Sequence, residues 1–315
     1  MWFKPLTFVP DNANYPFMKF ARIGFVVSSI LVCLSLALFF YPGLKYGIDF
    51  KGGTILEVRT QGPADMADLR SKLAGLNIGT VELQEFGRPD DVLIRLPAQE
   101  SEADQQAMLG RVKQTLGSGI EYRRTEVVGP KVSGELARDG MLAIAGAILL
   151  VGIYLWFRFE WQFALGAIAS LVHDVSLTIG LFVLFQIDFD LSIIAAILTI
   201  VGYSLNDTVV VYDRVRENLR RYKQMALPDL IDRSLNETLP RTIMTSVSVF
   251  LALLALYVFG GEVIRGFTFA MLWGVVVGTY SSIYIAAPFL IFTGVTSSSM
   301  SEEAKAKAAA EAARP

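Results

Sequence analysis

Apolar residues gather into six blocks, at 20–41, 140–157, 161–185, 191–212, 242–259 and 267–293. Each approaches or exceeds the roughly 20 residues that a helix needs to cross a bilayer. The pattern predicts six transmembrane helices. The first block is preceded by about twenty residues and ends in Phe39, Phe40, Tyr41 and Pro42, with no small-residue cleavage pattern, so it reads as an uncleaved anchor.

Between the first two blocks, residues 47–130 change character. Leu56 and Val58 alternate with Glu57 and Arg59, a period of two that predicts a half-buried strand. Met66, Leu69, Leu73 and Leu76 recur at helical spacing, with Pro63 suited to a helix start. Val81 and Leu83 alternate again. Gly87, Pro89 and Asp90 predict a turn, and Val92, Ile94 and Leu96 a third strand. Ser101 reads as the N-cap of a second helix with Leu109, Val112 and Leu116 on one face, and residues 120–128 as a last strand. The order β-α-β-β-α-β is the ferredoxin-like α+β arrangement.

Composition fits a membrane protein. The 315 residues are 53% hydrophobic and 18% charged, too apolar for an ordinary soluble domain. The formal charge of −2, with no large basic block, gives no sign of nucleic-acid binding. One cysteine, Cys33, and one histidine, His173, exclude a disulfide framework and a clustered Cys or His metal site.

The longest joint, 213–241, reads as a loop. It holds Arg214, Arg216, Arg220, Arg221, Lys223, Arg233 and Arg241. Lys and Arg mark the cytoplasmic side. Counting back places both termini in the cytoplasm (the N-terminal segment 1–19 and the tail 301–315) and the α+β domain outside. Trp156, Phe159 and Trp161 form an aromatic belt around Arg158 and Glu160.

Ionisable residues inside the spans are few. Asp207 lies in the fourth, within GYSLNDTVVVYDRVREN (202–218). A carboxylate at the centre of a spanning helix costs roughly 2.5–3.5 kcal/mol, and the usual compensation is a partner or a water-filled path. Seven residues separate Asp207 from Arg214, about 10 Å along a helix. Arg241 opens the fifth span from the same side. It is either a partner for Asp207, if the fourth and fifth spans are neighbours, or a snorkelling boundary residue. His173 and Asp174 lie mid-span in the third block, and consecutive residues point about 100° apart on a helix, so they are expected on different faces. Ser204 and Asn206 read as hydrogen-bonding residues between helices. Asp213, Arg214, Arg216 and Glu217 read as a solvated, ion-paired surface. YGIDFKGG (46–53) and VGPKVSG (128–134) lack the phosphate-loop ending. They read as turns and hinges, with Gly47, Asp49, Gly52, Gly53, Gly129 and Pro130 at the pivots.

The long 202–218 motif resembles the signature of the SecD/SecF family within the resistance-nodulation-division (RND) superfamily. Further likenesses are GIDFKGG, the VGP turn, the His173–Asp174 pair, LPRTIMTS at 239–246 and FGG at 259–261. The resemblance covers nearly the whole chain. It implies half of an RND-type permease, six helices with one ferredoxin-like domain between helices 1 and 2. It implies proton-motive-force-coupled assistance to late, periplasmic-side steps of protein export, with protons as the coupling ion and no other cofactor or metal. Implied partners are SecD, the SecYEG channel, the translocating preprotein, membrane lipid and, more remotely, YajC and YidC, in the bacterial inner membrane. Asp207 and Arg241 map onto the proton-coupling positions; His173 and Asp174 map onto a pair of less settled role.

Three other readings differ in what they need. A stand-alone proton-coupled exporter of small molecules or lipids would normally have twelve spans. An intramembrane aspartyl protease would pair Asp174 with Asp207, but the Gly-x-Gly-Asp half of its motif is missing from every span. A passive scaffold would tolerate loss of the Asp207 charge. No hydrolytic site is recognised.

Overall fold

The computed structural model describes residues 9–10 and 13–295; most of the N-terminal segment and the whole 301–315 tail lie outside the described residues. In chain order the elements are α1 (Phe17–Phe40), the single turn α2 (Ile48–Lys51), β1 (Gly53–Arg59), α3 (Met66–Ala74), β2 (Glu82–Phe86), β3 (Arg88–Leu96), α4 (Glu102–Leu116) and β4 (Glu121–Val128). Then follow α5 (Pro130–Arg158), α6 (Trp161–Leu184), α7 (Leu191–Arg221), α8 (Leu227–Phe259), α9 (Arg265–Ser281) and α10 (Ala287–Phe292). A 3-10 turn, Glu262–Ile264, precedes α9, and a π-helical turn, Ser282–Ala286, joins α9 to α10.

Among the described residues, six segments are long and apolar enough to cross a membrane: α1, α5, α6, α7, α8 and the composite Arg265–Phe292. They are not equivalent. More than half of α6 and of the composite span is buried inside the protein, whereas α1, α5 and α8 leave most of their apolar side chains outside. Leu149, Leu150, Phe157, Leu251 and Phe259 are among those exposed. In a bilayer such a surface is solvated by lipid, and the helices satisfy their own backbone groups.

The domain between α1 and α5 has the ferredoxin-like order. Its sheet runs β2-β3-β1-β4, with each neighbouring pair antiparallel. Leu56 and Val58 of β1 and Val92 and Ile94 of β3 point to one face, where Leu69 and Leu73 of α3 and Met108 and Val112 of α4 cover them. Two local details differ from the sequence expectation. The first helix starts at Met66, because the Asp65 carboxylate accepts from Ala67 N and Asp68 N and supplies a better cap than Pro63. The hairpin turn contracts to Gly87 (φ +80°), so Pro89 and Asp90 belong to β3 rather than to a turn.

The glycine-rich stretches fold into defined turns and helix starts. Gly47 caps α2, and the Asp49 carboxylate accepts from Leu191 N, capping α7 from a distance. Gly52 (φ +74°) and Gly53 (φ +130°) are the real turn; a Cβ on Gly53 would lie 2.5 Å from the Leu96 carbonyl oxygen. Gly129 and Pro130 instead begin α5, with Pro130 in the first turn where its missing N–H costs nothing. The helix therefore starts ten residues before the apolar block at 140–157.

The 213–241 loop is also helical. α7 runs on to Arg221, α8 begins at Leu227, and the joint is only 222–226. Charged residues hold this extension together. Arg214 bonds Glu237 (2.7 Å) and Glu217 (2.6 Å), and Asn218 donates to Ser234 (3.0 Å) and Glu237 (2.8 Å). The extension also grips the start of α1. Asn236 brackets Tyr15 through both its N–H and its carbonyl, and Asp232 accepts from Met18 N.

Candidate functional site

Close packing of α7 on α9 places the polar side chains. Gly274 and Gly278 are spaced as in GxxxG, and a Cβ there would meet Ile200 at 2.3 Å and Ser204 at 3.1 Å. Near this crossing two carboxylates are buried, about one helical turn apart in depth.

Asp174, 1% exposed, is fully engaged. One oxygen meets His173 Nδ1 at 2.9 Å; the other accepts from Ser204 of α7 (2.6 Å) and Ser281 of α9 (2.8 Å). Ser170 donates to Ser281 in turn (2.9 Å). The expectation that His173 and Asp174 lie on different faces is overturned. Their Cα–Cβ bonds diverge, but an imidazole and a carboxylate are long enough to bend back to each other. His173 stacks on Tyr280, whose hydroxyl bonds Gly24 O (2.9 Å) on α1, while His173 Nε2 is buried without a partner.

Asp207, 9% exposed, is only half engaged. Oδ1 accepts from Thr242 Oγ1 of α8 at 2.5 Å, the Ser282 hydroxyl lies close by, and among the described residues Oδ2 is buried with no hydrogen bond of good geometry. Among the described residues no Lys or Arg lies within ion-pair distance of it. Thr208 beside it bonds Ser282 (2.9 Å) in the π-helical turn, and π turns in α-helices often mark functional sites. Tyr212, one turn further, donates to Ala286 O (3.0 Å) of the same π turn.

The remaining expected residues fall in two groups. Ser204 does join helices, through Asp174. Asn206 does not: it is exposed on the bundle surface, because the face that buries Ser204, Asp207 and Thr208 turns it away. Arg241 is exposed on α8 beside Thr242 and makes no ion pair with Asp207. Sequence reasoning missed Thr242, Ser281, Ser282 and Tyr280. The run Thr279–Ser282, four polar residues inside the last apolar block, is the signal that would have found three of them.

A six-span bundle with buried, unevenly satisfied carboxylates and one inserted ferredoxin-like domain defines a polytopic membrane protein of transport type. Residues 109–296 match the family described as protein export membrane protein SecD/SecF, C-terminal, and residues 37–64 match the SecD/SecF GG motif. Protein translocase subunit SecF of Cereibacter sphaeroides is 44% identical over 311 residues, covering 96% of each chain. Protein translocase subunit SecDF of Brucella abortus is 44% identical over 92% of this chain but 38% of its own. The crystal structure of SecDF from Thermus thermophilus superposes with a TM-score of 0.78 at 34% identity, covering 90% of this chain; the chain spans 39% of that one. The chain belongs to the SecD/SecF family of protein export membrane proteins.

Proposed function

We propose that the chain is a SecF-like accessory subunit of Sec protein export and that Asp207 couples proton binding to movement. The buried, unpartnered Oδ2 of Asp207 carries this reading. A charged oxygen in an apolar interior without a donor is poorly stabilised. Proton uptake removes the charge and supplies an O–H. The hydrogen bond from Thr242 partly stabilises the ionised form, and the neutral acid needs no ion partner at all.

Magnitude limits what one proton does. A charge crossing 100 mV yields about 2.3 kcal/mol. Shifting an equilibrium from 1:99 to 99:1 requires about 5.5 kcal/mol. Voltage on one proton biases the cycle; the pH gradient or a partner chain supplies the rest.

The arginine-rich end of α7 and α8 supports a cytoplasmic placement by the positive-inside rule. Both termini are then cytoplasmic and the α+β domain periplasmic, in the bacterial inner membrane. Two relatives named SecDF hold the matching region within longer chains, which supports SecD as the partner here. Asn206, polar yet exposed at membrane depth, suits a face covered by that partner. SecYEG, YajC, YidC and the preprotein belong to the same reading.

The test is Asp207→Asn in inverted membrane vesicles carrying the whole export machinery. Loss of the proton-dependent part of export, with insertion and SecD co-purification intact, is expected. Normal proton-dependent export by the variant would sink the proposal.

A further inference from the structure

The α+β domain and the bundle do not share a core. The residues that fill the domain, such as Leu56, Leu73 and Ile94, belong to a cluster separate from those of the spans. The sheet face that α3 and α4 leave uncovered looks across a cavity of about 960 Å³ toward the rim of the bundle. Ile55 and Leu93 line it from the sheet, and Phe185, Tyr257 and Phe269 from the rim.

Arg95 of β3 crosses this cleft to bond Asp188, in the joint between α6 and α7. Lys45, just after α1, closes on the same carboxylate at 3.0 Å, and Glu82 of β2 lies 3.6 Å from Arg95. Burial works to raise the Asp188 carboxyl, but Arg95 and Lys45 outweigh it and hold it below its ordinary value of 3.8. The chain connections on the other side of the cleft are slender. α2 stays with the bundle: Gly47 N donates to Phe189 O and Phe189 N to Lys45 O, both at 2.8 Å, and the Phe50 and Phe189 rings pack at 5.8 Å. The nearest pivots are therefore Gly52–Gly53 and Gly129.

We propose that Arg95 and Asp188 form a releasable latch that sets whether the α+β domain is closed on the bundle or swung away about Gly52–Gly53 and Gly129. A partly exposed ion pair across a cleft opens far more readily than an apolar seam between domains. Asp188 lies three residues before α7, so movement of that helix reaches the latch through the backbone. The latch itself does not depend on the proton reading of Asp207.

Electron–electron distance measurements test this on the full chain in lipid nanodiscs, in a Cys33→Ser background with nitroxides at Gln84→Cys and Val263→Cys. Both positions are exposed and line the cleft, one from the sheet and one from the rim. The parent is expected to give one narrow distance. Asp188→Asn and Arg95→Gln are each expected to lose that peak in favour of longer, broader distances, and the conservative Asp188→Glu to keep it. An unchanged distribution in Asp188→Asn or Arg95→Gln, or a peak lost in Asp188→Glu, overturns the latch; retention in Asp188→Glu separates latch opening from simple misfolding.

Discussion

Asp174 and Asp207 are buried in the same bundle, about one turn apart, yet one carboxylate is saturated and the other is short of a donor. Asp174 collects His173, Ser204 and Ser281 from two helices besides its own strip of α6. Asp207 has one close donor, Thr242, with the Ser282 hydroxyl nearby but turned to Gly278 O. A buried carboxylate whose oxygens all have donors is held in one geometry and ties together the helices that supply them. A half-saturated one keeps a second state within reach. On the function proposed above, burial alone does not mark the proton-binding acid; the donors around each carboxylate separate the two.

The comparison is broken most sharply at the carboxylates. Asp207→Asn is expected to abolish proton-dependent export without loss of protein, measured as vesicle import per SecD-bound molecule. Asp174→Asn is expected to do the reverse. Losing charged hydrogen bonds from Ser204 and Ser281, at about 1.5 kcal/mol each, lowers stability by about 3 kcal/mol. Thermal unfolding in detergent reads that loss, and export per folded molecule stays near normal. A stable Asp174→Asn that cannot export would erase the distinction.

Smaller changes sharpen it. Gly274→Leu drives a side chain into Ile200 and separates α7 from α9, costing about 1–3 kcal/mol by the same unfolding assay. Gly202→Ala, with nothing within 4 Å of its Cβ position, is the matched control. Thr242→Val removes the close donor to Asp207 and is expected to slow export roughly fivefold, about 1 kcal/mol for one hydrogen bond, with Thr242→Ser restoring the rate. The smallest effect lies outside the bundle. The Asp91 carboxyl is lowered chiefly by hydrogen bonds from Arg59 (2.8 and 2.9 Å). A depressed folded value means its stabilisation is complete above the ordinary value of 3.8 and is lost as pH falls below it. Hydrogen exchange in β1 and β3 should be flat in protection from pH 8 to about 5 once corrected for intrinsic rate, and protection should fall only under stronger acid.

Much of this was readable before any coordinates. Period-two alternation at Leu56–Val58 and Val92–Leu96, and helical spacing at Met66–Leu76, carry the α+β domain because each strand and helix there has one buried face. Block length carries the six spans. Helix length was not readable in the same way. The segments 130–139, 213–221 and 227–241 are helical outside the apolar blocks, since apolarity records the thickness of the bilayer and stops where water begins. Charged residues there continue the helix through pairs such as Arg233–Glu237.

By itself the sequence determined that a carboxylate at 207 would sit in an apolar span, and that its cost would need an answer. Only the tertiary structure decided which buried carboxylate is left short. The donors arrive from far along the chain: Ser204 is 30 residues from Asp174, Ser281 107, and Thr242 35 from Asp207. Periodicity reports which face of a helix is buried, but not which hydroxyl waits on the helix opposite. That depends on how α6, α7, α8 and α9 pack, and the packing rests on close approach at Gly274 and Gly278.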